Sequence, residues 1–233
     1  MTYNREKILK MLSNAPIYEG IQFHEGRNDE FLIAMDDDFC YDYDYAHGAT
    51  KLALIPIDEK KDYVIKIPYT GSYNYESSYY DSHNSYHHGR EDYWEYYSAE
   101  DDKEPWNYCA GEVNRYKIAE ESGFSQCFAK TELLGYINGY PIYIQERCIT
   151  LSNSRGKHSH SKEEKETTSK ICGKYCNIDE DWLTDFRLYY GDDLLFNFIN
   201  FIKDMAWDDD LRSDNIGYIK NRPVLIDYSG FLD

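Results

Sequence analysis

The chain has 233 residues, of which 43 are acidic and 25 are basic, and its formal net charge is −18 at pH 7. This length suits one large core or two small lobes that share a cleft. The negative charge disfavours direct binding to nucleic acids and to anionic membrane surfaces. It would also suit an acidic protein that imitates DNA, so a nucleic-acid mimic stays open as an alternative.

Features that would direct the chain out of the cytoplasm are missing from the sequence. No apolar run approaches the roughly 20 residues that span a bilayer, and no signal-peptide core follows Met1. Six cysteines without an export signal favour reduced thiols over disulfides. We therefore expect a cytoplasmic protein, located in the host cytoplasm if a phage encodes it.

One group of side chains raises the question of zinc. His158 and His160 precede Cys172 and Cys176 in a polar stretch of the sequence. Their spacing matches no standard set of zinc ligands. Zinc binding at these four residues stays open.

The first half of the chain predicts a helix, a hairpin and an insert. Residues 5–12 favour a helix, and the apolar runs at 52–55 and 63–67 flank a charged turn, which predicts an antiparallel hairpin. Residues 70–108 are rich in Tyr, Ser and His and show no clean period. We interpret them as an insert packed by its own aromatic rings, with binding of a protein partner as the alternative.

The middle of the chain predicts a helix, a second hairpin and a polar segment. Residues 111–123 have helical spacing of apolar side chains and end in Gly123, which offers a left-handed stop. Residues 132–137 and 140–144 flank an Asn-Gly pair, the strongest short signal for a hairpin turn. Residues 151–177 are polar and charged, so they predict a linker or a solvated helix.

The last part of the chain predicts two helices and a final hairpin. Asn177 is the expected N-cap of a helix that carries acids in its first turn and ends at Gly191. A strongly apolar helix over residues 194–205 should form the core of a second lobe. A polar loop then leads into a hairpin of residues 216–218 and 224–227.

Oxygen-bearing side chains gather around this final hairpin. Asp210 and Asn215 precede its first strand, and Asp227 ends its second strand. Carboxylate and amide oxygens are suitable ligands for hard cations such as Mg²⁺. Phosphoryl transfer uses such cations to bridge phosphates, together with a carboxylate near the attacking hydroxyl and a lysine that steadies the phosphates.

Three motifs in this sequence carry a family resemblance. Asp210 and Asn215 stand in the pattern D-L-x-x-x-N, Asp227-Tyr228-Ser229-Gly230 looks like D-F-G, and Val64-Ile65-Lys66 resembles the strand V-A-I-K. In these motifs, and in the order of its predicted elements, the chain resembles the protein-kinase-like superfamily. That superfamily includes the compact kinase-like proteins of bacteria and their phages.

The resemblance implies an α+β fold with two lobes. The N-lobe, an antiparallel sheet with one helix, would occupy residues 1–150, including an N-terminal extension and the insert at 70–108. Residues 151–177 would be the polar linker. Residues 178–233 would be a minimal, mainly helical C-lobe that contains the segments similar to the catalytic loop and to D-F-G.

The resemblance also implies roles for individual residues in a site for ATP and Mg²⁺. Lys66 would face the phosphates with Glu112 as its helix partner, although Glu120 and Glu121 are alternatives for that partner. Asp210 would be the catalytic acid or base. The expected metal ligands are Asn215 and Asp227. Besides Lys66, the expected nucleotide-binding residues of the loop over the phosphates are Gly48, Ala49 and Thr50. Those of the hinge that meets adenine are Gln145, Glu146 and Arg147.

The sequence departs from the family pattern in ways that bear on activity. Asp208 stands where the family usually has histidine, Gly48 is the only glycine of its loop, and Ser229 replaces a glycine. Only three residues follow Gly230. We therefore expect that a small molecule is the acceptor, that a partner completes the surface for a protein acceptor, or that nucleotide is bound without turnover.

Two classes of function remain at this level. The first is a kinase-like phosphotransferase that acts on a hydroxyl group of a protein or a small molecule. The alternative is a catalytically inactive kinase-like protein, or an acidic nucleic-acid mimic that inhibits a host enzyme. In both, a protein partner would bind through the acidic surface or the Tyr-rich insert, without direct contact to nucleic acid or membrane.

Overall fold

The computed structural model describes residues 1–13, 42–47, 51–68, 71–73, 79–80, 86–87, 94–96, 108–137, 140–154, 159–173, 178–205 and 211–228. In these residues the α-helices are α1 (Arg5–Ser13), α2 (Tyr108–Glu121), α3 (Lys162–Cys172), α4 (Glu180–Tyr190) and α5 (Asp192–Asp204). The strands are β1 (Tyr43–His47), β2 (Lys51–Pro56), β3 (Tyr63–Pro68), β4 (Gly71–Tyr73), β5 (Tyr79–Tyr80), β6 (Tyr86–His87), β7 (Trp94–Tyr96), β8 (Thr131–Ile137), β9 (Tyr140–Glu146), β10 (Ile149–Thr150), β11 (Ile216–Ile219) and β12 (Arg222–Leu225).

The chain divides into two compact units. The first unit comprises Met1–Ala110 and Glu132–Ile144, and the second comprises Gly111–Thr131 and Gln145–Asp233. The fold is α+β, with helices beside antiparallel strands, as the sequence predicts. None of the helices in the described residues is both long and apolar enough to cross a membrane.

A five-stranded sheet with the order β1-β2-β3-β9-β8 forms the first unit. The predicted hairpin of β2 and β3 is confirmed, with Lys66 opposite Ala53 in the antiparallel register. Strands β8 and β9 are neighbours in the sheet, which confirms the two strands of the second hairpin. Their connecting residues 138–139 lie outside the described residues.

Helix α1 closes the core of this sheet. Its apolar residues Ile8 and Leu12 are buried in one cluster with residues of β2, β3, β8 and β9. The chain before the helix is held by Asp62, whose carboxylate accepts from the backbone N–H of Thr2 at 2.9 Å and lies 3.6 Å from the terminal amino group. The predicted helix at residues 5–12 is confirmed and extends to Ser13.

Short strands lie within the Tyr-rich segment. Strand β4 pairs with β7, and β5 pairs with β6, in two separate two-stranded antiparallel sheets. Most of residues 70–108 lie outside the described residues. The proposed packing of this insert by its own aromatic rings therefore stays a prediction.

Helix α2 ends as the sequence predicts. Gly123 has a φ of 81°, and the backbone N–H groups of Gly123 and Phe124 donate to Glu120 and Ala119 at 3.1 and 2.7 Å. These two bonds satisfy carbonyl groups that the last helical turn leaves open. The helix begins at Tyr108, three residues before the predicted start.

Helices α3 and α4 of the second unit begin with side-chain caps. Ser161 and Glu164 form a reciprocal capping box at the start of α3, so part of the polar segment 151–177 is a helix. Helix α4 is capped by Asp179, whose side chain accepts from the N–H of Trp182 at 2.9 Å. The predicted cap, Asn177, was wrong: it precedes the true cap by two residues and lies outside the described residues. The predicted end at Gly191 is confirmed.

Helix α5 supplies much of the core of the second unit. Leu195, Phe198, Ile199 and Ile202 recur at helical spacing, and all four are buried. Helix α3 packs against both α4 and α5, and α4 also packs against β12. Burial of a large apolar side chain stabilises a fold by about 1.5–3 kcal/mol. The helix ends at Asp204, slightly earlier than the sequence predicts.

A three-stranded sheet with the order β10-β11-β12 completes the second unit. The predicted final hairpin is confirmed, with Ile216 opposite Leu225 and Ile219 opposite Arg222. The indole N–H of Trp182 donates to the carbonyl oxygen of Gly217 at 3.1 Å and so ties α4 to β11. A Cβ atom on Gly217 would lie only 2.2 Å from the backbone oxygen of Ile149.

We expect Gly217→Ala to destabilise the second unit by about 3 kcal/mol, because the added methyl group meets backbone atoms of β10 that cannot move independently. The matched control is Gly123→Ala, where a Cβ atom meets nothing within 4 Å and only the positive φ is unfavourable. Gly123→Ala should lower the free energy of unfolding by about 1 kcal/mol. Urea unfolding measures both changes, and equal losses would contradict the steric explanation.

Candidate functional site

The final hairpin brings two of the predicted metal ligands to the same end. The N–H of Ile226 donates to the carbonyl oxygen of Asn215 at 2.8 Å, which continues the β11–β12 ladder by one step beyond Ile216 and Leu225. Asp227 follows directly. The side chains of Asn215 and Asp227 are both half-buried. Asn215 and Asp227 therefore lie at the end of the hairpin opposite its turn.

Glu112 lies on α2, four residues after its start at Tyr108, and has no solvent-exposed surface. Its carboxylate oxygen Oε2 accepts from the hydroxyl of Thr131 at 3.1 Å and from the amide nitrogen of Gln145 at 3.2 Å. A buried carboxylate is costly unless donors of this kind surround it. Glu120 and Glu121, the alternatives to Glu112, are exposed.

Gln145 is the centre of this buried group. It is 2% exposed, and its Nε2 also lies 2.7 Å from the hydroxyl oxygen of Thr131 and 2.7 Å from the carbonyl oxygen of Ile226. The carboxylate and the carbonyl group can only accept hydrogen bonds, so the nitrogen of the amide must face them. Gln145 therefore joins α2, β8 and the end of the final hairpin.

Tyr228 holds the segment after Asp227. Its buried hydroxyl donates to the carbonyl oxygen of Ala129 at 2.7 Å and lies 3.1 Å from the hydroxyl of Thr131. Arg115 donates to the carbonyl oxygen of Tyr228 at 2.6 Å. Burial, with the nearby charge of Glu112, raises the pKa of the Tyr228 hydroxyl well above its ordinary value.

Lys66 lies in the first unit on β3, and its side chain is 4% exposed. A lysine ammonium group is stable at this depth only beside an acceptor or a counter-charge. An ordinary strand lysine would extend its ammonium group into water. The sequence alone would also allow Lys66 to be an ordinary, solvent-exposed strand lysine. Its burial shows that it is not.

The predicted hinge residues occupy the end of β9 and the residue after it. Glu146 accepts from the backbone N–H of Lys130 at 3.0 Å and from Arg222 at 3.2 Å. Its carboxylate is thus engaged on the second unit, and Arg147 is half-buried. Backbone contact of these residues with adenine stays a prediction.

Several predicted residues lie outside the described residues. They are Asp210, Gly48, Ala49 and Thr50, and of the four zinc candidates also His158 and Cys176. His160 is described and has its Nε2 3.1 Å from Oδ1 of Asp185. Within the described parts of the chain, no group of three or more His, Cys, Asp and Glu side chains could hold a metal ion.

Sequence reasoning missed Thr131 and the side chain of Gln145. Both are polar residues in strands that are otherwise largely buried, which is a usable signal because buried polar groups need partners. Their partners could not be read from the sequence, since Gln145 is 33 residues from Glu112 and 81 from Ile226.

No family model, curated protein or solved structure matches the chain.

The raised pKa of Tyr228 gives a prediction about alkaline pH. An unfolded tyrosine ionises near pH 10, so the hydroxyl contributes fully to stability below that pH. Above it the unfolded chain releases this proton while the folded one keeps it, and stability falls. Above pH 10 the free energy of unfolding should therefore fall less steeply in Tyr228→Phe than in the wild type, by about 1.4 kcal/mol per pH unit.

The same variant should lose about 1–2 kcal/mol at pH 7, because the carbonyl group of Ala129 loses a buried donor. Tyr189→Phe is the control, since that side chain is 54% exposed and should cost little at pH 7. Urea unfolding at several pH values measures both effects. A wild-type slope in Tyr228→Phe above pH 10 would contradict the assignment.

Proposed function

We propose that the chain has a bilobal kinase-like fold, binds ATP with Mg²⁺ and transfers the γ-phosphoryl group to a hydroxyl acceptor. The order of elements after α1 supports this: two strands, the lysine strand β3, the short strands β4–β7, helix α2 with Glu112, strands β8–β10, helices and a final hairpin. Fold order alone does not determine chemistry. The proposal depends on the side chains at the end of the final hairpin.

The observation that supports the proposal is the backbone pairing of Asn215 with Ile226, which places Asn215 opposite the residue that precedes Asp227. An amide oxygen and a carboxylate suit Mg²⁺, which typically takes one or two protein ligands and keeps water and phosphate oxygens in its other positions. Both side chains are half-buried and so keep access for an ion. The donor set therefore fits this cation.

The remaining roles follow from the chemistry of the transfer. Asn215 and Asp227 would hold Mg²⁺, which would supply positive charge against the phosphate groups. Lys66 would steady the phosphates, and Asp210 would accept the proton of the acceptor hydroxyl. The acceptor oxygen forms a bond to the γ-phosphorus, the bond from that phosphorus to the bridging oxygen breaks, and ADP leaves with the electron pair. The acceptor is a hydroxyl group of Ser, Thr or Tyr in a protein, or of a small molecule.

The net charge of −18 favours a second candidate, an acidic protein that binds the nucleic-acid site of a basic host enzyme. Such binding would weaken steeply with salt and would not require Asp227. Nucleotide binding without transfer would instead identify a catalytically inactive kinase-like protein. The two experiments that follow measure nucleotide binding and phosphate transfer separately.

We expect Mg-ATP at about 100 times its dissociation constant to raise the melting temperature by about 5–10 °C. Asp227→Ala should abolish this shift, because the metal loses its carboxylate ligand. Asp204→Ala is the charge-matched control, since Asp204 is exposed at the end of α5. Thermal unfolding with and without Mg²⁺ measures the effect. Equal shifts in both variants would remove Asp227 from the site.

Asp210→Ala should reduce phosphate transfer by at least about 100-fold while leaving the Mg-ATP shift in place, because the residue acts on the acceptor proton. Transfer from γ-labelled ATP to the protein's own hydroxyl groups or to small hydroxyl compounds measures it. Transfer at the wild-type rate in Asp210→Ala would exclude this role.

A further inference from the structure

We propose that Gln145 is a positioning residue that fixes Asp227 for metal binding, rather than a residue that only contacts adenine. Its side chain bonds the peptide group between Ile226 and Asp227 and, at the same time, the carboxylate of Glu112. The inference rests on the proposed function, since it deepens the role of the same site. It assigns to the side chain of Gln145 a task that the sequence resemblance does not.

The peptide group that precedes Asp227 is the key structural element. The carbonyl oxygen of Ile226 belongs to the same peptide bond as the nitrogen of Asp227, so holding that oxygen fixes the orientation of the Asp227 backbone. Gln145 Nε2 lies 2.7 Å from this oxygen. The N–H of the same residue, Ile226, donates to Asn215 at 2.8 Å. Ile226 is thereby held between the two expected metal ligands.

The same amide nitrogen of Gln145 is also anchored by a buried carboxylate. Glu112 Oε2 lies 3.2 Å from Nε2, and the hydroxyl of Thr131 donates its only proton to the same carboxylate oxygen. Thr131 can therefore only accept from Gln145, at 2.7 Å. Two amide protons thus serve three acceptors, and no other atom of this side chain can replace them. A buried donor in this arrangement is held firmly.

This arrangement links two residues with different roles in the proposed transfer. Glu112 is the expected partner of the phosphate-facing lysine, and Asp227 is an expected metal ligand. Because one amide group bonds both Glu112 and the peptide before Asp227, displacement of either loosens the other. The metal ligand is then in place only while the Glu112 carboxylate is in place.

A methionine at position 145 tests the link, since it keeps a similar length and apolar volume but has no donor. In Gln145→Met we expect the affinity for Mg-ATP to fall at least about 10-fold, measured by titration calorimetry. Affinity for ATP in the presence of a chelator should stay within about twofold of the wild type. A loss confined to the metal-bound nucleotide is the signature of positioning.

Tyr218→Phe is the matched control for general destabilisation. Its hydroxyl donates to Asp185 at 2.6 Å within the same unit and on the same hairpin, away from the end that carries the ligands. Tyr218→Phe should be less stable than the wild type, but its affinities for Mg-ATP and for ATP in the presence of a chelator should not change. If it loses Mg-ATP affinity as Gln145→Met does, or if Gln145→Met loses both affinities equally, the role of Gln145 is structural only and the proposal is overturned.

Failure of the inference and failure of the proposed function give different results. Absence of Mg-ATP binding in the wild type removes the proposed function and the inference with it. Binding in the wild type and equally in Gln145→Met removes only the inference.

A second variant covers the case in which Gln145→Met does not fold. Gln145→Asn keeps an amide group, but its side chain is one methylene group shorter and cannot reach both Glu112 and the carbonyl oxygen of Ile226 as Gln145 does. Its affinity for Mg-ATP should also fall at least about 10-fold, while its affinity for ATP in the presence of a chelator stays within about twofold of the wild type. An affinity for Mg-ATP equal to that of the wild type would overturn the proposal.

Discussion

The fully buried carboxylate of Glu112 is the constraint on which the rest of the candidate site depends. A carboxylate in a dry interior is tolerated only when donors converge on it, and here Thr131 and Gln145 do so. Each donor comes from a different strand. The end of β9, the start of β8 and the N-terminal half of α2 therefore have to meet at one point, and Ile226 lies beside that point.

The final hairpin depends on the same group of residues from its other side. Its segment after β12 is bonded by Gln145 at Ile226 and by Arg115 at Tyr228, while the Tyr228 hydroxyl reaches Ala129. A chain end held at this many points has little freedom to change register. Asp227, between these two residues, has a half-buried side chain.

The charge of the chain and the chemistry of this site act at different scales. A net charge of −18 influences association with partners over a Debye length, and it does not decide which oxygen atoms meet a metal ion. A cation is attracted by such a charge from any direction. Selective binding of a hard cation depends on the local arrangement of oxygen ligands.

The sequence by itself determined the elements whose signals are local. The hairpin of β2 and β3, the stop of α2 at Gly123 and the apolar face of α5 each depend on residues a few positions apart, because turn, cap and periodicity act over short distances. The cap of α4 shows the limit, since Asn177 and Asp179 are both suitable N-cap residues and the structure uses Asp179. Only the tertiary structure decided the partners of Gln145, because hydrogen bonds across 33 and 81 residues leave no pattern along the chain.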